Sequence, residues 1–141
     1  MFTGLISAAA TAGVLVAFGM GQRRQFIAFN VAAHGLFGER ARLVTTAHPL
    51  ITPTGILLHT LAALACAIVL TMLAGTRRML VVGLSAAALV AVLFALNTRV
   101  LPTAFRPGYE TILSEGQLFF LYLTLASALV VGTRLAQSAR E

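Results

Sequence analysis

The chain has 141 residues, of which 59% are hydrophobic and 10% are charged. A soluble domain has roughly 25% charged residues, and a chain this short has too little interior to bury so much apolar surface, so a soluble globular fold is excluded. The net charge of +6 comes from arginines, which stand singly or in pairs at the ends of apolar runs. This pattern is typical of membrane helix ends and lacks the basic stripe of nucleic-acid-binding proteins, so we expect no nucleic-acid partner.

The first apolar run predicts a membrane span at about 4–20, rich in small residues such as Ser7, Ala8 and Gly13. Small residues let helix backbones approach closely in lipid, so we expect this span to pack inside a helix bundle. No basic residue precedes the run and no small-residue cleavage site follows it. We therefore expect a retained span and not a cleaved signal peptide.

The segment at about 25–44 is the next predicted element. Read as a helix, it places Phe26 and Phe29 on one face and Arg42 on the opposite side. This pattern predicts an amphipathic segment in the membrane interface between spans 1 and 2. Glycine weakens a helix, so a helix broken near Gly38 is an equal alternative.

Three further apolar runs predict spans at about 54–74, 79–98 and 115–133. Span 2 has Thr52 as a candidate N-cap and Pro53 at the expected first helical position. A tight turn at 75–78 makes spans 2 and 3 an antiparallel hairpin.

The start of span 4 is marked by Ser114 followed three residues later by Gln117, the pattern of a capping box. At roughly 1.5 Å per residue, each of the four spans can cross a hydrocarbon core of roughly 30 Å. The expected fold is an all-α, integral membrane four-helix bundle, with 1–141 forming a single transmembrane domain.

Both long linkers follow odd-numbered spans, so they lie on the same side of the membrane. The arginines slightly favour an orientation with these linkers in the cytoplasm and both termini outside. The linker side holds six and the opposite side four: Arg23, Arg24, Arg40, Arg42, Arg99 and Arg106 against Arg77, Arg78, Arg134 and Arg140.

Histidines are the first candidate functional residues, because all three lie in the linkers or close to them. An ionisable group inside a span is a functional hypothesis by default, which singles out His59. His34 and His59 together are a candidate cofactor-binding pair for haem or a metal ion. The histidine spacing matches no metal motif, and the alternative is a neutral His59 bonded to a neighbouring helix.

A second candidate is a polar cluster between spans 3 and 4, formed by Asn97, Arg99, Arg106 and Glu110. Arg106 with Glu110 is a candidate ion pair, and Glu39 with Arg40 is another. We expect the cluster, together with His59, to lock the linkers over the helix ends. A proton or ligand path is the alternative.

Three segments carry a resemblance: 33–41 (AHGLFGERA), 54–59 (TGILLH) and 102–110 (PTAFRPGYE). In this order and spacing they resemble a group of four-span bacterial inner-membrane proteins with no established activity. The resemblance implies a multi-pass protein of the bacterial inner membrane and highlights His34, His59 and Glu110. The chain departs from the group's pattern at Asn97, where an acidic residue is usual, and in having no tryptophan.

The expected function is that of a small accessory or scaffolding subunit in a larger membrane complex, since the sequence shows no catalytic set. Its expected partners are the lipid bilayer and other membrane subunits or further copies of itself. One alternative is a haem- or metal-binding redox protein that uses His34 and His59. The other is a small transporter or lipid-handling protein.

Overall fold

The architecture is all-α throughout residues 2–74 and 78–139, which the computed structural model describes. In chain order the α-helices are α1 (Phe2–Gly21), α2 (Ile27–Ala32), α3 (His34–Phe37), α4 (Arg40–Leu43), α5 (Ile51–Ala74), α6 (Met79–Ala95) and α7 (Glu115–Ser138). A π-helical turn (Leu96–Val100) extends α6, and two 3₁₀ turns (Thr103–Phe105 and Tyr109–Thr111) lie between it and α7.

Four of these elements are long and apolar enough to span a membrane: α1, α5, α7, and α6 with its π-helical extension. The predicted four-helix membrane bundle is thereby confirmed. Large apolar side chains such as Leu57, Met72 and Leu84 lie exposed on the outer faces of the long helices. Hydrocarbon surroundings suit such faces, which would be costly to expose to water.

Close packing of small residues fixes the position of α1. A side chain at Gly132 of α7 would meet the Thr3 backbone, and one at Gly4 would meet the Leu64 backbone of α5. At the other end of α1, Phe18 packs edge-on against Phe120 of α7. Helices α1 and α7 are therefore antiparallel, and α1 lies between α7 and α5, as expected for a span rich in small residues.

Helix α6 packs against α7 and makes fewer contacts with α5. Between α5 and α6 the bundle is therefore loosely closed, and this gap positions the cavity described below.

The segment between α1 and α5 is three short helices, broken at Ala33 and at Gly38, where φ is +68°. The break near Gly38 is thus the alternative that the structure adopts. Helix α2 is buried, with the Phe29 carbonyl packed directly on Gly55 of α5. Because the segment is broken twice, a single continuous helix does not form, and Leu36 and Leu43 are exposed.

The start of α5 differs from the prediction. The helix begins at Ile51, so Pro53 is its third residue, and the assignment of Thr52 as N-cap and Pro53 as first residue is wrong. The Nδ1 atom of His48 accepts hydrogen bonds from the backbone N–H groups of Leu50 and Ile51, which satisfies two of the free amides at this end.

The start of α7 agrees with the prediction. Ser114 accepts from the Gln117 backbone, and the Gln117 side chain accepts from the Ser114 backbone, which confirms the capping box. The predicted hairpin turn at 75–78 lies, apart from Arg78, outside the described residues, as do Arg77 and Arg140 of the orientation argument.

Candidate functional site

His34 ties the two long linkers into one layer. Its ring is buried, with Nδ1 2.7 Å from the carbonyl oxygen of Val31 and Nε2 3.1 Å from that of Thr103. Gly108, in the left-handed region at φ +79°, lies so close that a Cβ there would come within 2.6 Å of the Val31 side chain. The first linker therefore packs directly on the second at one end of the bundle.

Asn30 organises the first linker. It is fully buried, and its amide nitrogen donates to the carbonyl oxygens of Val44 (2.7 Å) and Thr46 (2.9 Å). Its oxygen accepts from the Thr52 hydroxyl at 2.6 Å. These three bonds hold the 44–50 loop and the start of α5 against α2, so Asn30 is a structural residue whose polar atoms are satisfied.

His59 is the centre of a hydrogen-bonded chain that crosses the bundle from the second linker to α1. Its Nδ1 lies 3.1 Å from the Tyr109 hydroxyl and its Nε2 lies 2.9 Å from the Thr11 hydroxyl. Thr11 in turn donates to the Ser7 carbonyl at 2.6 Å. Because a threonine hydroxyl has one proton, this last bond makes Thr11 the acceptor from Nε2–H and leaves Nδ1 to accept from Tyr109.

Tyr109 is an uncharged member of this chain. Burial raises the pKa of the Tyr109 phenol well above its ordinary value, and the neighbouring Tyr122 phenol adds to the rise. The phenol therefore stays protonated at physiological pH and is a neutral hydrogen-bond donor.

Asn97 and Tyr122 form a second polar contact at the same end of the bundle. The side-chain amide of Asn97, in the π-helical turn that extends α6, donates to the Tyr122 hydroxyl on α7 at 2.8 Å. Tyr122 is buried, and its ring packs edge-on against Phe94. The amide thus fixes the position of the phenol oxygen.

These polar groups border a cavity of about 840 Å³ between α5, α6, α7 and the two linkers. Most of its wall is apolar, and the polar groups of His59, Tyr109, Asn97 and Tyr122 all lie toward the linker end. Some lining side chains are also exposed, including Val69 on α5 and Phe105 in the second linker. The cavity is therefore open along the loosely closed edge between α5 and α6, where lipid would surround the bundle.

The structure brings together some of the residues predicted for the site and not others. His59, Asn97 and Arg106 line the cavity, whereas Arg99 and Glu110 are not part of its wall. His34 lies beneath the linkers, in contact with Gly108, and not in the cavity wall.

The two ion pairs predicted from the sequence are corrected. Glu39 pairs with Arg42 at 3.2 Å and not with Arg40, because residues three apart share one face of a helical turn. Arg106 donates from Nε to the Leu101 carbonyl at 2.6 Å. Within residues 2–74 and 78–139, Arg106 and Glu110 form no salt bridge.

Haem or metal ligation by His34 and His59 carries a structural cost. Both ring nitrogens of each histidine already lie within hydrogen-bond distance of a protein oxygen, so each ring would have to release a contact to ligate a metal. Among the described residues, no three His, Cys, Asp or Glu side chains are grouped as a metal site.

Thr11, Tyr109 and Tyr122 are site residues that the sequence did not single out. Their roles depend on which helix faces which, and that register is not visible in a hydropathy pattern. The one available signal was the position of Tyr122, about two turns into span 4 on the linker side, the same depth as His59 in span 2.

The fold defines a multi-pass membrane protein with a mostly apolar cavity at its linker end. No protein-family model, curated protein or solved structure matches the chain. The resemblance to four-span bacterial inner-membrane proteins, and with it the bacterial inner-membrane location, stays a prediction.

Proposed function

We propose that this protein binds a lipid-soluble molecule in the cavity between α5, α6 and α7, and so acts as a small lipid-handling or transport protein of the membrane. The observation that carries the proposal is the cavity itself, about 840 Å³ in volume and mostly apolar. This volume lies within the range of roughly 300–1,000 Å³ that is usual for small-molecule sites. A ligand with a hydrocarbon body and a polar head matches the wall.

The position of the polar groups supports the same proposal. His59 follows Ile51 by eight residues and Tyr122 follows Glu115 by seven, so both lie roughly 10–12 Å along their helices at 1.5 Å per residue. Asn97 approaches from the end of the third span. Polar residues at this depth in a membrane are costly unless they have partners, and they commonly mark a ligand path.

The exposed edge supports entry from the bilayer. The wall of the cavity continues into exposed apolar residues of α5, among them Ala62 and Val69. A hydrocarbon tail can therefore enter sideways from the lipid without crossing water.

The role as an accessory or scaffolding subunit stays a prediction from the sequence, and so does association with other membrane subunits. The redox alternative has less support than lipid handling, since both ring nitrogens of His34 and of His59 already lie against a protein oxygen, which a metal ion would have to displace.

Saturable photolabelling tests the proposal. The protein in lipid nanodiscs is labelled with a long-chain acylglycerol that carries a photoactivatable diazirine in its tail, and the labelled residues are mapped by mass spectrometry. We expect labels on cavity residues such as Cys66 and Leu93 that excess unlabelled acylglycerol removes, while labels on Met72 and other outward residues persist.

A matched pair of variants controls for general effects on folding. Ala62→Phe fills part of the cavity, whereas Ala91→Phe places the same ring on an exposed face of α6 outside the cavity. Cavity labelling should fall in Ala62→Phe and stay unchanged in Ala91→Phe. Labelling that follows exposure alone and is equal in both variants would refute a binding cavity.

A further inference from the structure

The polar end of the cavity presents hydrogen-bond donors, and the first is Tyr122. Its oxygen accepts from Asn97, while the hydroxyl proton has no acceptor within hydrogen-bond distance in the described part of the chain. A phenol can accept and donate at the same time. Tyr122 is therefore oriented by Asn97 and can donate to a ligand group in the cavity.

The second donor is Tyr109, through the chain that includes His59. In one proton arrangement, Tyr109 donates to Nδ1, Nε2–H donates to Thr11, and Thr11 donates to the Ser7 carbonyl. In the reverse arrangement, Thr11 donates to Nε2, Nδ1–H donates to Tyr109, and the Tyr109 hydroxyl is released to donate into the cavity. The Ser7 carbonyl keeps its helical backbone bond in both arrangements.

An acceptor in the cavity selects between these arrangements. A ligand oxygen near Tyr109 stabilises the reverse arrangement. Only in that arrangement does Tyr109 donate to the ligand while His59 donates to Tyr109. The two arrangements differ in the position of the imidazole proton, so the tautomer of His59 reports the presence of such an acceptor.

The head group is best matched by a neutral acceptor. His59 and Tyr122 lie roughly two turns into the bundle, where a charged head would lose its hydration, and the donors available to a ligand, Tyr109 and Tyr122, are neutral phenols. In the described part of the chain Arg106 is the one charged lining residue, and its Nε donates to the Leu101 carbonyl.

We infer, on the basis of the proposed function, that the ligand presents carbonyl oxygens on a hydrocarbon tail and that its binding converts His59 from the Nε2–H to the Nδ1–H tautomer. Quinones and acylglycerols both have this chemistry. Tyr122 donates to one carbonyl oxygen and Tyr109 donates to a second acceptor position.

Nitrogen NMR of ¹⁵N-histidine-labelled protein in nanodiscs tests the inference, because the two tautomers have distinct ring nitrogen shifts. The His59 signals are assigned by their loss in His59→Asn. The probes are a decyl-tailed benzoquinone, dioleoylglycerol and phosphatidylglycerol. We expect saturable conversion of His59 to the Nδ1–H tautomer with the quinone, the diacylglycerol or both. The probe that binds with the lower Kd identifies the chemical class of the ligand.

Conservative variants separate hydrogen bonding from packing. Tyr122→Phe should weaken binding about three- to tenfold, the usual size of one neutral hydrogen bond. Tyr109→Phe should abolish the tautomer change. Thr124→Val is the control, because Thr124 lies on the same helix outside the cavity wall and its hydroxyl donates to the Phe120 carbonyl. This variant should leave the binding affinity and the tautomer change unaltered.

The outcomes distinguish this inference from the proposed function. If a probe binds saturably but the His59 tautomer and the Tyr122→Phe affinity do not change, the carbonyl assignment is overturned while the binding cavity stands. Preferential binding of phosphatidylglycerol also overturns it. If no probe binds, the proposed function fails together with the inference.

Discussion

At the scale of single residues, His59 shows how this chain keeps a titratable side chain within a membrane span. Both ring nitrogens have partners, one from α1 and one from the second linker. A buried polar group without a partner costs free energy, so each partner contributes to stability as well as to the tautomer. His59 therefore couples three separate parts of the fold.

Thr11→Val tests this coupling. The change removes the hydroxyl that accepts from Nε2 of His59 and keeps the shape of the side chain. We expect the free energy of unfolding to fall by about 1–2 kcal/mol, since a buried donor loses its partner. Denaturant titration in mixed micelles measures it.

Thr71→Val is the matched control for this change. Thr71 is an exposed residue of α5, and its hydroxyl bonds only to the Ala67 carbonyl one turn earlier among the described residues. The stability of this variant should stay close to that of the parent. Equal losses in the two variants would show that His59 draws no stability from Thr11.

Some of these residue roles were predictable from the sequence. An ionisable residue in an apolar run is visible in the sequence, so His59 could be predicted as a candidate. A neutral histidine hydrogen-bonded to a neighbouring helix was one of the two hypotheses for it. Thr11 did not stand out, because threonine is common in membrane helices and its partner depends on how α1 rotates against α5. The predicted Arg106–Glu110 ion pair was wrong, because Arg106 instead donates to the Leu101 carbonyl, and sequence spacing does not show this contact.

At the scale of elements, glycines decide where helices meet. A side chain at Gly55 would overlap the Phe29 carbonyl, so α2 and α5 are in backbone contact there. Gly83 of α6 is also in a helix, but nothing in the described residues lies within 4 Å of a Cβ at this position. The same residue type thus has opposite roles on two helices.

Gly55→Ala and Gly83→Ala are expected to change stability in opposite directions. Alanine at Gly55 forces α2 away from α5, and we expect a loss of about 1–3 kcal/mol from overpacking. Alanine at Gly83 meets no neighbour and should gain about 0.5–1 kcal/mol from helix propensity. Unfolding of both variants in the same micelles gives the comparison. A neutral Gly55→Ala would contradict the α2–α5 contact.

The elements themselves were the most predictable level of the structure. Long apolar runs and the Ser114–Gln117 capping box are local signals, and both were confirmed. The predicted start of α5 was wrong because the His48 ring, and not Thr52, accepts hydrogen bonds from the first backbone amides of the helix. The helical segment between α1 and α5 is broken at Ala33 and Gly38, and α2 packs inward. Amphipathic periodicity in the sequence does not show where such breaks occur.

At the scale of the whole molecule, the arrangement of the four long helices creates the cavity. Helix α1 packs through small residues between α5 and α7, and α6 packs on α7 with fewer contacts to α5. The two linkers, joined by His34 and Gly108, cover one end of the gap that results. The side between α5 and α6 is left accessible from the lipid, and this geometry is the basis of the proposed function.

Native mass spectrometry of the protein purified in mild detergent tests this central claim most directly. We predict a one-to-one adduct of lipid size that survives gentle removal of the detergent. The adduct should be lost in Ala62→Phe, which fills the cavity, and kept in Ala91→Phe on the exposed face of α6. An adduct of equal abundance in all three proteins, or none in the parent, would contradict a ligand-binding cavity between α5, α6 and α7.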